Sequence, residues 1–155
     1  MNETYEQKII KNIKNDIINI YNYMYDNNEL ELLGYPDHDI LQEKLYNIQY
    51  KYEYITCEKE YSIKYYDKDK NKNKRGRIDL AYYYKGNPFI LLEMDCGIKP
   101  TSIKKLLYDK NFKYKMWFCY NQYVNTEKYY EVIYNLDKNN EIIYLTANRW
   151  NGTIK

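Results

Sequence analysis

Glycine and proline are scarce in this chain, five and three in 155 residues. So few glycines assemble neither GxGxxG nor GxxxxGK[ST], and no loop that cradles phosphate with backbone amides is readable. Histidine occurs once (His38) and serine twice (Ser62, Ser102), which leaves no GxSxG elbow and little material for a Ser-His-Asp triad. The three cysteines, Cys57, Cys96 and Cys119, are odd in number and lack CxxC spacing, so no disulfide framework is expected. With His38 they match no zinc motif, and they read as reduced thiols of an intracellular protein. The start of the chain lacks a basic segment followed by an apolar one. The longest apolar runs, such as residues 89–92, fall far short of the ~20 residues that span a bilayer, so no membrane is expected as a partner. Catalysis, if present, must rest on carboxylates, lysines, tyrosines or a metal held by oxygen ligands.

Tyrosine, by contrast, is abundant. Its 23 residues bring the aromatic content to 18%, while mean hydropathy stays at −0.89 because each ring carries a hydroxyl. That aromatic content argues against disorder, and 155 residues suit one domain over 1–155. The wealth of Asn, Ile, Lys and Tyr, all read from A/T-rich codons, reflects mutational bias in an AT-rich genome, as in many viruses, and not function.

Periodicity orders the elements. Residues 3–26 read as an amphipathic helix with Ile9, Ile13, Ile17, Ile20 and Met24 on one stripe. Asp37 is the expected N-cap of a second helix carrying Ile40, Leu41, Leu45 and Ile48. A strand-like stretch covers 52–66 and a polar loop 67–76; strands 77–84 and 88–95 form a hairpin through Lys85-Gly86-Asn87. A helix capped by Thr101, a strand over 116–120, a helix over 127–136 and a strand over 141–146 complete the order α, α, β, β, β, α, β, α, β.

Charge is unevenly spread. Residues 68–77 carry four lysines and two arginines against one aspartate, while the whole chain is only +2, so the remainder is net acidic. Such a cluster suits a phosphate backbone. Lys72, Lys74, Arg75 and Arg77 are the candidate nucleic-acid-binding residues, the two arginines for their guanidinium forks. Opposite in sign, Glu93 and Asp95 interrupt an apolar strand at its C-terminal end. A hairpin centred on residue 86 pairs Glu93 with Asp79 and brings three carboxylates to one end of a hydrophobic sheet. Crowded carboxylates oppose one another's ionisation, and a hard divalent cation, Mg²⁺ or Mn²⁺, removes the conflict. Asp79, Glu93 and Asp95 are therefore candidate metal ligands and catalytic residues, able to activate water against a phosphate.

The run Arg77-Ile78-Asp79-Leu80, a Gly-containing turn, and Phe89-Ile90-Leu91-Leu92-Glu93-Met94-Asp95 resembles the core motif of the PD-(D/E)XK nuclease superfamily. The resemblance implies a restriction-endonuclease-like fold: an α/β (α+β) domain with an αβββαβ core, a central mixed sheet flanked by helices, and the second helix as an insertion. Residues 77–121 also resemble the nuclease-like domain of transformation-competence proteins, whose helix after the motif leads into a strand like Met116-Trp117-Phe118. The resemblance implies a metal-dependent deoxyribonuclease acting on DNA, or RNA, as a monomer or homodimer. One position departs from the motif: Asp95 stands where the family has lysine. An acid there can serve as a further ligand or general base, and Lys99, Lys104 or Lys105 can return an ammonium group from the next helix. Two other readings stay open, an inactive nucleic-acid-binding module of the same fold and a structural protein with a tyrosine-rich interface.

Overall fold

Helix α1 (Tyr5–Asp26) starts where Thr4 and Gln7 satisfy each other's backbone amides in a capping box. It buries Ile9, Ile10, Ile13, Ile17, Tyr21 and Met24 as one stripe; Ile20, expected on it, is only half-buried. The computed structural model describes residues 2–32, 34–121 and 124–146. Helix α2 (His38–Tyr46) is capped by Asp37, whose carboxylate accepts from the Ile40 amide, and a 3₁₀ turn over Asn47–Lys51 takes in Ile48. Then follow β1 (Ile55–Asp67), β2 (Lys72–Tyr84), β3 (Asn87–Asp95), α3 (Pro100–Tyr108), β4 (Tyr114–Cys119), α4 (Thr126–Leu136) and β5 (Ile142–Thr146).

The architecture of the described residues is α+β: four α-helices around one five-stranded mixed sheet in the order β1-β2-β3-β4-β5. The first three strands form an antiparallel meander, and β3, β4 and β5 run parallel. The sheet advances the same way through β3-α3-β4 and β4-α4-β5, so crossovers of one hand place α3 and α4 on one face. Two cores result. One packs Ile13, Ile17, Leu41 and Leu45 from α1 and α2 against Leu80, Tyr82, Leu92 and Phe118. The other packs Ile103, Leu106 and Tyr129 from α3 and α4 against Ile78, Leu91 and Trp117, with Trp117 stacked on Tyr129 at 5.4 Å. Each such aliphatic or aromatic side chain contributes about 1.5–3 kcal/mol by burial. Strand β3 is buried on both faces, which explains its unbroken apolar run. No helix among the described residues is long and apolar enough to cross a membrane.

Three expected boundaries change. Residues 67–76 are not a loop: β1 and β2 continue as a hairpin, paired from Ser62↔Arg77 out to Asp67↔Lys72, with the turn confined to 68–71. The Lys/Asn-rich strand is held by Ile63 and Tyr65 of its partner, which pack into the α3 side. Thr101 does not cap α3; Lys99 holds the cap position and Pro100 the first turn, where its missing N–H leaves no bond unmade. Between β2 and β3 the loop is Lys85-Gly86, because Tyr84 pairs with Asn87 after a register shift at Tyr82/Tyr83.

Candidate functional site

The β2–β3 ladder runs in register through Tyr82↔Ile90, Ala81↔Leu91 and Leu80↔Leu92, then stops. Extrapolated one step, that register opposes Asp79 to Glu93, but there the side chains take over from the backbone. The Asp79 amide donates to Glu93 Oε1 (3.2 Å), and the Met94 amide donates to Asp79 Oδ2 (2.8 Å). Two carboxylates thus occupy the opening where the strands part.

A local irregularity puts Asp79 there. On the other side of β2 the β1 pairing skips Glu60 and Asp79, and Glu60 has φ +56°. The strands change face across this point: Ile78 packs into the α3-side core and Leu80 into the α1/α2-side core. Strict alternation, which would place Asp79 with Ala81 on the α3 side, therefore fails at this residue. Asp79 instead meets α2. His38 Nε2 lies 3.3 Å from Asp79 Oδ1, and Gln42 Nε2 donates to the Asp79 carbonyl (2.9 Å) and to Glu60 Oε1 (3.0 Å).

Glu93 keeps the expected face. Lys105 Nζ, from α3, donates to Glu93 Oε1 (3.2 Å) and to the Arg77 carbonyl (2.6 Å). Asp95 is close by but engaged elsewhere: its Oδ2 accepts from the Trp117 indole (2.7 Å), and Lys99 Nζ is 3.8 Å from Oδ1. Lys104 points away, pairing with Asp69 and Asp67. Of the three lysines that could reach the motif, Lys105 reaches Glu93.

The electrostatics follow from this packing. Burial, then the Asp79 charge, push the Glu93 carboxyl up to about 7; Lys105 opposes the rise and Asp95 adds to it. His38 is raised to about 9, chiefly by its hydrogen bond to Asp79 against an opposing desolvation.

Among the described residues no group of three or more His, Cys, Asp or Glu side chains is arranged to hold a metal ion. Mg²⁺ asks less of a protein, because it keeps several waters and takes one or two carboxylates together with substrate phosphate. Asp79 and Glu93 fit that demand: both offer hard oxygen donors where the strands part, and a cation there would favour the ionised form of Glu93, which burial first and the Asp79 charge second disfavour. Asp95, bonded to Trp117, is the least available of the expected ligands.

The expected phosphate-binding residues divide. Lys74 is bound to Asp67 at 3.3 Å, whereas Lys72, Arg75 and Arg77 are exposed on β2. The sequence reading missed His38, Gln42 and Trp117. Only the first two left a trace, their i, i+4 spacing behind the Asp37 cap, which sets both on one helix face. Comparison with family models, with curated proteins and with solved structures finds no match to this chain.

Proposed function

We propose that the chain is a metal-dependent nuclease that hydrolyses DNA phosphodiester bonds on a restriction-endonuclease-like core. The observation that carries the reading is the exchange of backbone amides between the Asp79 and Glu93 carboxylates where β2 and β3 part, with Lys105 against Glu93. The element order supports it: α1, β1, β2, β3, α3, β4 match the αβββαβ core, with α2 inserted and α4-β5 appended.

In this reading Asp79 and Glu93 would hold Mg²⁺ or Mn²⁺, which would supply Lewis-acid activation of water and charge stabilisation on phosphate. The chain's own groups do the rest. Lys105 Nζ provides the ammonium group that the Glu-Met-Asp motif lacks, placed to donate to a phosphate oxygen and to keep Glu93 oriented. His38 and the Met94 amide fix the two oxygens of Asp79. Asp95, pinned through Oδ2 by Trp117, keeps Oδ1 as an acceptor for a water proton.

Incubating the protein with supercoiled and linear DNA in Mn²⁺, Mg²⁺ or EDTA tests the reading. Cleavage is expected with the cations and not with EDTA; intact DNA under every condition would overturn it. Asp95 at the family's lysine position, drawn toward Trp117, favours a second reading, an inactive nucleic-acid-binding module. Salt-dependent DNA binding without cleavage selects that one. The absence of both leaves a structural or partner-binding role.

A further inference from the structure

Beyond Glu60 and Asp79, β1 and β2 run on as a two-stranded arm whose two faces differ. Directly opposed residues share a face. Ile63↔Gly76, Tyr65↔Lys74 and Tyr61↔Ile78 form the inner face, packed toward α3. The fit is close: a Cβ on Gly76 would lie 3.0 Å from Lys105 Cδ and 3.3 Å from the Tyr65 ring. Two of the cations on this side are paired within the chain, Lys74 with Asp67 and Lys104 with Asp69, while Lys72, opposite Asp67, stays exposed.

The outer face consists of Ser62↔Arg77, Lys64↔Arg75 and Tyr66↔Asn73, and all six residues are exposed. It contains no acid. Lys64, Arg75 and Arg77 make no ion pair among the described residues. Lys64 sits directly across from Arg75, and like charges so placed destabilise a sheet. A single Glu at either position would relieve this, as Asp67 does for Lys74. An unrelieved cationic pair is what an anionic ligand would stabilise. Lys64, Arg75 and Arg77 also border a concavity of about 620 Å³.

We propose that this outer face docks double-stranded nucleic acid, the ribbon lying in the major groove with Lys64, Arg75 and Arg77 on the flanking phosphates. The inference rests on the nuclease reading above and deepens it by naming a duplex as the substrate. The major groove admits a two-stranded β-ribbon. The three outer pairs extend about 13 Å along the arm at the usual strand rise. Ser62 and Asn73 add uncharged polar groups beside the cations. Single strands are gripped by aromatic stacking platforms, and this face offers only Tyr66, whose hydroxyl is bonded to Asn71. The arm also leads into the acidic opening: Arg77 stands two residues before Asp79, and its carbonyl accepts from Lys105.

The test is fluorescence anisotropy in EDTA, with a labelled duplex of about two helical turns and a single strand of the same sequence, over a salt series. Combined Lys64→Ala, Arg75→Ala and Arg77→Ala should lower the slope of log K against log salt by about 2.7, three contacts at about 0.9 each. Arg75→Gln alone should lower it by about 0.9 and melt at the wild-type temperature or slightly above, since it relieves the repulsion with Lys64, which guards against misfolding of the triple variant. Lys74→Ala with Lys104→Ala should leave the slope as it is. The proposal falls if the outer-face variants keep the wild-type slope, if the inner-face pair lowers it equally, or if the single strand binds as tightly as the duplex. Duplex binding with the expected slopes but no cleavage in Mn²⁺ overturns the nuclease reading alone. Cleavage with an unchanged slope overturns the docking face alone.

Discussion

The two ends of the β2–β3 hairpin are built on opposite principles. At the turn end the backbone pairs through to Tyr84↔Asn87, and Lys85 and Gly86 take positive φ values of 51° and 79°, the geometry a two-residue turn requires. Aromatic rings close that end: Tyr84 lies 5.4 Å from Phe89, Phe89 5.5 Å from Tyr114, and Lys85 sits over the rings of Tyr54 and Tyr84. At the other end the ladder stops one pair early, and carboxylates accept the amides that carbonyls would have taken. One end maximises contact. The other keeps a buried charge conflict that packing alone does not relieve, and such a conflict is a natural place for a ligand.

Glu93→Gln should separate the two ends most sharply. If Glu93 is a ligand, losing it removes several kcal/mol of transition-state stabilisation, so cleavage should fall by about 10³-fold or more. Stability should move the other way. The carboxyl is raised from 4.5 to about 7, so between those values the unfolded chain releases a proton that the folded chain keeps. Wild-type stability is therefore full below about pH 4.5 and falls as pH climbs to about 7, by a total on the order of 3 kcal/mol. Urea titrations at pH 5 and pH 8 should show that loss in wild type and little of it in Glu93→Gln. A variant destabilised at pH 8 would mean that the carboxylate is well compensated and the conflict absent.

The closed end should respond in the converse sense. Phe89 is 2% exposed and bridges the rings of Tyr84 and Tyr114, so Phe89→Ala should cost about 3–5 kcal/mol. Cleavage per folded molecule, measured well below the melting temperature, should stay at the wild-type rate. A large loss of rate in a folded Phe89→Ala would show that the two ends are not independent.

His38 gives a spectroscopic handle of smaller amplitude. It is the only histidine in the chain, so its imidazole resonances can be followed by proton NMR without assignment. They should titrate near pH 9 in wild type and return toward 6.5 in Asp79→Asn, because the Asp79 hydrogen bond is the main cause of the rise. The associated stability is present below about pH 6.5 and lost as pH rises through about 9, a window above that of Glu93. An unshifted His38 in wild type would remove α2 from the site.

Local features were the more legible from sequence, the turn of the closed end among them. The isoleucine stripe of α1, the Asp37 cap and the hairpin centre at residue 86 follow from local periodicity and turn chemistry, and each stands in the structure with small changes of boundary. Asp79 and Glu93 could be brought together by counting from the turn. Their surroundings could not. The change of face at Asp79 depends on Glu60, a residue 19 positions earlier that adopts a positive φ without being glycine. His38 and Gln42 reach Asp79 only because α2 packs across the sheet, and Trp117 reaches Asp95 from β4. The strand over residues 72–76 was hidden because lysine and asparagine are poor strand formers, and its partner, not its own composition, keeps it extended.

Lys104 and Lys105, adjacent on α3, offer the finest comparison and the smallest effect. Lys105 Nζ lies against the buried Glu93, whereas Lys104 joins Asp69 in the exposed turn of the arm, with the Asp67 carboxylate farther off at 3.9 Å. Asp69 is largely in solvent, so that ion pair is screened and the side chains lose rotamer freedom in forming it. Lys104→Ala should therefore change stability by less than about 1 kcal/mol, by an amount that shrinks further in salt. Lys105→Ala should differ in kind. It removes the cation that opposes the rise of Glu93, so the pH window over which stability falls should extend above 7. Urea titrations of both variants across that range check the contrast. Equal and pH-independent effects would mean that Lys105 is a surface tether like its neighbour, with no electrostatic part in the acidic opening.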